Sequence, residues 1–303
     1  MARLCIFGLG ALGAAHLATI LDRDPDADLG VIASGRRAER LRDEGVWANG
    51  THYMVDVVEP GQTPPELIIV SVKTTALEDS LADLAGFVGP GTALLSLLNG
   101  VSSEQTLRAA FPEAYVPLAY SVRSNAGRDE CGFRFYSPGV DVFGEPGGRV
   151  TPAIRRIDEL LGEYGVAHEV SADIEAGQWQ KFVLNVGVNQ ASALLRASYA
   201  VFQRPGGQAR ELMVSLQREA LAVAQARGVG LTPADLDEVL AIIDALAPAG
   251  HTSMSQDAMA RRPMEIEAFG GEVLRLGRQH GVPTPVNETA VRALRGLEES
   301  WAV

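Results

Sequence analysis

Five short apolar runs punctuate the first half of the chain: RLCIFGLG at 3–10, LGVIA at 29–33, ELIIVSVK at 66–73, TALLSLLNG at 92–100 and AYVPLAY at 114–120. Their apolar residues are largely continuous rather than alternating, as in strands buried on both faces of a parallel sheet. Between them lie amphipathic stretches such as AERLRDEG and SSEQTLRAAF. Strands and helices in alternation predict an α/β fold with a doubly wound parallel sheet. After GVAHEVSADI at 165–174 the pattern becomes helical, with almost no strand signal. GGQARELMVSLQREALAVAQARGV reads as a long amphipathic helix stopped at Gly228. TPADLDEVLAIIDALA opens another, with Thr232 as N-cap, Pro233 at the first helical position and Asp235 in the first turn. One further helix is expected from about Ser255 to His280. The pattern therefore predicts a sheet domain over 1–170 and an all-α domain over 171–303.

The first run ends in Gly8, Gly10 and Gly13, a G-x-G-x-x-G turn between a strand and the helix ALGAAHLATIL. The three glycines suit a tight turn, a backbone that pyrophosphate can approach, and a helix packed closely on its strand; the helix N-terminus then faces the phosphates. In this context the turn, with Leu9, Ala11 and Leu12 completing it, points to a dinucleotide and a Rossmann-like N-terminal domain. At the tip of the second strand, ASGRRAER offers no carboxylate to ribose hydroxyls. Ser34, Arg36 and Arg37 offer a hydroxyl and two guanidiniums, groups that suit a 2′-phosphate, so NADPH/NADP+ is expected over NAD.

The stretch GQWQKFVLNVGVNQASALL at 177–195 is an apolar helix with one polar stripe. Lys181, Asn185 and Asn189 fall at i, i+4 and i+8 and share a face, surrounded by Phe182, Val183, Leu184, Val186 and Val188. An ammonium in an apolar setting is costly without partners, and its pKa falls toward the range that serves proton transfer. The plainer alternative is a helix edge where the lysine snorkels and the amides cap nearby backbone. A second polar cluster lies in HTSMSQDAMARRPMEIEAFGGEVLRLG, with Ser253 near a helix start and Glu265 twelve residues on, inside the expected helix. Asn99 ends a strand in LLNG, at the sheet edge where open α/β folds bind ligands. Together these residues supply a proton donor, carboxylate donors and hydroxyl partners for a 2-keto acid beside a nicotinamide.

Composition narrows the partners. A chain of 303 residues, 47% hydrophobic and 21% charged, can bury two cores. A formal charge of -12 argues against nucleic acid and anionic membrane surfaces, which need clustered Lys and Arg. No apolar run is long enough to span a bilayer. The N-terminal run superficially resembles a secretory signal, but its glycines and its continuation into DRDPDAD speak against one. Cys5 and Cys131 form neither a disulfide framework nor a C-x-x-C spacing, so no metal site and a cytoplasmic location are expected.

Along essentially its whole length the chain resembles the ketopantoate reductase (2-dehydropantoate 2-reductase) family. The segments that carry this are IFGLGALG, VSVKTTALEDSL, LLNGVSSEQTL, GVDVFGE, WQKFVLNVGVNQASAL, TSMSQDAMARRPMEIE and HGVPTPVNET. The K-x-x-x-N-x-x-x-N run and the S-M-x-Q-D segment followed by E-I are far more specific than the glycine turn. The resemblance implies NADPH-dependent reduction of 2-dehydropantoate to (R)-pantoate in pantothenate synthesis. It casts Lys181 as the general acid for the alkoxide at C2, and Glu265 as the glutamate that helps hold the substrate and Lys181. It casts Ser253 and Asn99 as carboxylate binders and Asn185 and Asn189 as partners of the hydroxyl end, with Lys73 and Asn99 beside the cofactor. The implied partner is a small-molecule 2-keto acid, with homodimer formation left open. Two departures from the family pattern bear on specificity. Ser34 stands where many members have Arg, so a 2′-phosphate would rest on Arg36 or Arg37. Ser121, Val122 and Arg123 stand where relatives usually have small residues, often Gly then Thr.

Three other readings share parts of this pattern. The first is a reductase of another branched 2-keto acid on the same scaffold. The second is a 3-hydroxyacid dehydrogenase of the 6-phosphogluconate type, which has a Rossmann domain, an all-α domain and a K-x-x-x-N helix. That family tends to place a second glycine-rich turn just before its lysine, where only Gly177 stands here. The third, a non-catalytic NADP-binding regulator, is expected to lack the lysine and the glutamate, and this chain has both.

Overall fold

The computed structural model describes residues 3–61 and 63–301, apart from the side chains of 125, 128 and 129. The chain divides into two compact units, Met1–Ile174 and Glu175–Val303. The first unit runs β1 (Leu4–Phe7), α1 (Ala11–Arg23), β2 (Leu29–Ile32), α2 (Gly35–Glu44), β3 (Val46–Ala48), β4 (Thr51–Tyr53), β5 (Leu67–Val70), α3 (Leu77–Ala85), β6 (Ala93–Ser96), α4 (Ser103–Ala110) and β7 (Leu118–Val122). It continues through β8 (Asn125–Asp129), β9 (Gly132–Ser137), β10 (Val140–Gly144), α5 (Pro152–Glu163) and β11 (His168–Val170).

Strands β2, β1, β5 and β6 form, in that order, an all-parallel sheet, with Leu4 opposite both Leu29 and Leu67, and Leu67 opposite Ala93. Their apolar runs are continuous because both faces are covered. Leu4, Ile6, Leu67 and Ile69 enter one core with Leu17 of α1 and Ile157 of α5. Cys5, Phe7, Ile68 and Val70 enter the other with Leu84 of α3 and Leu107 of α4. Successive residues thus face different layers, and the doubly wound expectation is met.

The fifth apolar run departs from the expected parallel strand. Tyr115 makes an isolated parallel bridge to Ala93, while β7 joins a second sheet, β11-β10-β7, antiparallel to β10. Pro117 lies between the two parts and has no N–H to continue a ladder. A third sheet, β4-β3-β9-β8, was not anticipated. Its strands β3 and β4 have three residues each, with Trp47 facing outward between buried Val46 and Ala48.

A charged pair is buried in this unit. His16 of α1 and Asp141 of β10 are 2% and 1% exposed, with Nε2 2.6 Å from Oδ2 and Nδ1 2.9 Å from the Leu12 carbonyl oxygen. A carbonyl only accepts, so Nδ1–H donates to it, and a proton on the Nε2–Oδ2 line completes an imidazolium–carboxylate pair. Burial alone would lower the His16 pKa; the charge and hydrogen bond of Asp141 outweigh it and hold the imidazole above its ordinary range.

The second unit is built on α6 (Ile174–Leu195), α7 (Tyr199–Phe202), α8 (Gln208–Ala226), α9 (Pro233–Ala245), α10 (Ser253–Met259), α11 (Glu272–His280) and α12 (Pro285–Glu299). Gly228 turns the chain after α8 at φ +93°, and Thr232 is the N-cap of α9, both as read from the sequence; Thr232 with Asp235 also forms a capping box. The single helix expected over 255–280 is corrected. The α10 helix stops at Met259, Arg261 is left-handed at φ +51°, and a π turn over Glu267–Gly271 leads into α11. Pro263 supplies the reason, since it lacks an amide hydrogen and disfavours helical geometry in the residue before it. Among the described residues no helix is long and apolar enough to cross a membrane.

Candidate active site

Every predicted nucleotide-binding residue of the first unit sits just beyond the carboxyl end of a parallel strand or in the helix start that follows it. After β1, Gly8 has φ +104°, and a Cβ there would lie 2.6 Å from the Val72 amide nitrogen. A Cβ on Gly13 would lie 2.2 Å from the Gly8 carbonyl oxygen. These two glycines are thus demanded by the protein's own packing. Gly10 is different: its φ is -86°, and the nearest atom to an added Cβ is the Ser71 carbonyl oxygen at 3.8 Å. The protein does not need glycine there, whereas a pyrophosphate approaching the backbone does. No side chain caps α1 and no acidic residue occupies its first turn, so the positive end of the helix dipole is left to an anion. The residues present therefore fit a dinucleotide. Leu9 buries its side chain in the core, leaving its backbone to the site, while Ala11 and Leu12 are half-buried.

Two contacts hold this turn, and sequence reading missed both. Ser71 Oγ donates to the Gly8 carbonyl at 2.8 Å, and Arg37 Nη2 donates to the Leu9 carbonyl at 3.0 Å. Arg37 is therefore a brace of the glycine turn as well as a cation at the tip of β2. Ser34 is the exposed N-cap of α2, and Arg36 is exposed in its first turn. Lys73 is exposed beyond β5, and Asn99 is half-buried beyond β6. Thr74, next to Lys73, donates from Oγ1 to the Asn99 carbonyl at 3.2 Å.

In the second unit, α6 carries Lys181 and Asn185 half-buried and Asn189 5% exposed. Asn189 Nδ2 donates to Asn185 Oδ1 at 3.2 Å. Asn189 Oδ1 accepts from Ser253 Oγ at 3.5 Å and from the Met254 amide at 3.4 Å. The structure thus joins Asn185, Asn189 and Ser253, residues up to 68 positions apart, into one connected group of donors and acceptors. Glu265, half-buried, lies in the irregular segment before the π turn rather than within a helix. Thr252, the N-cap of α10, and Ser192 of α6 back this group, with Oγ atoms 2.6 Å apart. The only hint of them in the sequence is a threonine preceding a helix start.

Comparison with known proteins identifies the family and the fold. Residues 4–147 match the family model described as Ketopantoate reductase PanE/ApbA, and residues 173–298 match its C-terminal model. The 2-dehydropantoate 2-reductase of Aquifex aeolicus is 24% identical over 304 residues, covering 98% of this chain and 97% of that protein. The structure of a dimeric ketopantoate reductase from Staphylococcus aureus superposes with TM-score 0.81 at 21% identity, over 98% of this chain and 99% of that one. A D-mandelate dehydrogenase with NADH and anilino(oxo)acetate superposes with TM-score 0.85 at 22% identity, over 99% of each chain.

Proposed function

The chain belongs to the ketopantoate reductase family, and on that premise we propose that it reduces 2-dehydropantoate to (R)-pantoate with NADPH, a step of pantothenate synthesis. The observation that carries the reading is the connected group of Asn185, Asn189 and Ser253 on the face that also bears Lys181. NADPH, when bound, supplies the hydride that reduces C2. The glycine turn and the first turn of α1 hold the pyrophosphate, and Lys73 borders the nucleotide. Ser253 and Asn99 donate to the substrate carboxylate, and Asn185, held by Asn189, meets its hydroxyl end. Lys181 places an ammonium at the C2 oxygen, where it stabilises the developing negative charge and gives up a proton. Glu265 holds Lys181 and the substrate. We extend the reading to a cytoplasmic location, supported by a content of only two cysteines, one buried and one exposed, too few for a disulfide framework.

A second reading keeps the chemistry and changes the acid. The nearby D-mandelate dehydrogenase structure and the cationic Arg123, exposed at φ +57° after β7, favour a different 2-keto acid side chain. Assaying NADPH oxidation with 2-dehydropantoate, simple branched 2-keto acids and phenylglyoxylate separates the two. The first reading requires the highest kcat/KM for 2-dehydropantoate, and a higher value for another acid would replace it with the second.

Three variants test the binding roles. Arg36→Ala is expected to raise KM for NADPH by about tenfold or more, the range for hydrogen bonds to a charged group, and to leave NADH use unchanged. Arg37→Ala should weaken both cofactors, because it also braces the Leu9 carbonyl. Equal use of NADPH and NADH by the unmodified protein would refute the 2′-phosphate assignment. Ser253→Ala should raise KM for the keto acid by about tenfold with cofactor affinity intact. An unchanged keto-acid KM would reduce Ser253 to a helix-start residue.

A further inference from the structure

Ser253 is exposed, and its contact with Asn189 is long, at 3.5 Å. Such a contact cannot by itself fix where the hydroxyl points. The firm attachment lies on the buried side of the same turn. Thr252 Oγ1 accepts the Ser255 amide at 3.0 Å and lies 2.6 Å from Ser192 Oγ; Ser192 Oγ in turn lies 3.2 Å from the Asn189 carbonyl oxygen. Thr252 is 4% exposed and Ser192 0%. Each hydroxyl has one proton, and a carbonyl only accepts, so Ser192 must donate to Asn189 and therefore accepts from Thr252. The chain of protons then runs one way, from the α10 cap through Thr252 and Ser192 to the backbone of α6. Asn189 is gripped twice, by its carbonyl from Ser192 and by its side chain from Ser253 and Met254.

We propose that Thr252 and Ser192 are positioning residues that hold the start of α10 on Asn189 and so aim the Ser253 hydroxyl at the substrate carboxylate. The inference rests on the reading of Ser253 as a carboxylate donor, but the attachment itself is measurable without turnover. Neither residue touches substrate. Their loss should therefore act through the placement of Ser253 and leave the proton donor and the nucleotide site alone.

The test uses the full chain with Thr252→Val, which keeps the shape and removes the hydroxyl, Thr252→Ser, which keeps the hydroxyl, and Ser192→Ala. Thr252→Val and Ser192→Ala should raise KM for the keto acid by about tenfold while kcat and KM for NADPH stay at wild-type values. Thr252→Ser should restore the wild-type KM, a rescue that loss of general stability would not show. In parallel, amide hydrogen exchange over residues 253–256 should quicken in Thr252→Val and Ser192→Ala and not in Thr252→Ser. Wild-type exchange in both hydroxyl-free variants would overturn the attachment, even if no keto acid were a substrate. Quickened exchange with an unchanged keto-acid KM would overturn the positioning role. Absence of any keto-acid reduction by the wild type would instead sink the functional reading, leaving exchange to decide the attachment.

Discussion

Lys181→Ala is expected to lower kcat by at least about 10², because hydride arriving at C2 leaves negative charge on an oxygen that then lacks its proton donor. General acid catalysis is worth about 10² to 10⁴ in rate, or roughly 3 to 5 kcal/mol of barrier. The lysine lies half-buried on α6, beside buried Phe182 and Val183 and one turn before Asn185. An ammonium held there meets its substrate with less competition from water than a surface lysine, which strengthens its field at the developing alkoxide. Binding of NADPH, followed by fluorescence titration, should remain near normal, since the glycine turn belongs to the other unit. Asn185→Ala removes a positioning group and not the acid, so its effect should fall mainly on KM. A folded Lys181→Ala protein with near-native kcat would leave the lysine a structural residue.

The second large effect is on stability. Asp141→Ala should destabilise the first unit by about 3 to 5 kcal/mol, the cost of removing one member of a buried pair, and lower its thermal midpoint by roughly 10 °C. The pair should also give the wild type a characteristic pH dependence. The pKa of His16 is raised in the folded state, so the native protein retains a proton that the unfolded chain sheds above about 6.5. The contribution is fully present below that pH and is lost as pH rises through the raised native value. Thermal midpoints measured from pH 6 upward should therefore fall with pH in the wild type and fall less in Asp141→Ala. Parallel profiles for the two proteins would show that the pair contributes no linked proton.

The parts of the fold that were legible are those governed by local rules. Continuous apolar runs over Leu4–Phe7, Leu29–Ile32, Leu67–Val70 and Ala93–Ser96 announced strands covered on both sides, and Thr232-Pro233 announced a helix start. In the third sheet, β3 and β4 escaped because Val46–Ala48 and Thr51–Tyr53 are three residues each, too short for a period to register. Pro117 and Pro263 were both visible, and each carried more weight than the apolar pattern around it: one split a strand, the other a helix. In the candidate site the stripe of Lys181, Asn185 and Asn189 followed from helical spacing alone. Its link to Ser253 did not, because Ser253 reaches Asn189 across 64 residues; the buried His16–Asp141 pair of the first unit, 125 residues apart, was hidden for the same reason. Such pairings depend on how helices pack, which no local pattern encodes. The brace from Arg37 to Leu9 is of the same kind: the guanidinium was read as a phosphate ligand, and its second duty appears only once α2 is placed beside the glycine turn.

Hydride reduction of a keto acid at C2 is tested most directly by isotope transfer. The protein is incubated with 2-dehydropantoate and NADPH bearing deuterium at both C4 positions of the nicotinamide, and the product is analysed by mass spectrometry and chiral chromatography. The expected product is (R)-pantoate carrying one deuterium at C2, with deuterated NADP+ formed in equal amount. Failure to form pantoate, or pantoate without deuterium at C2, would contradict it.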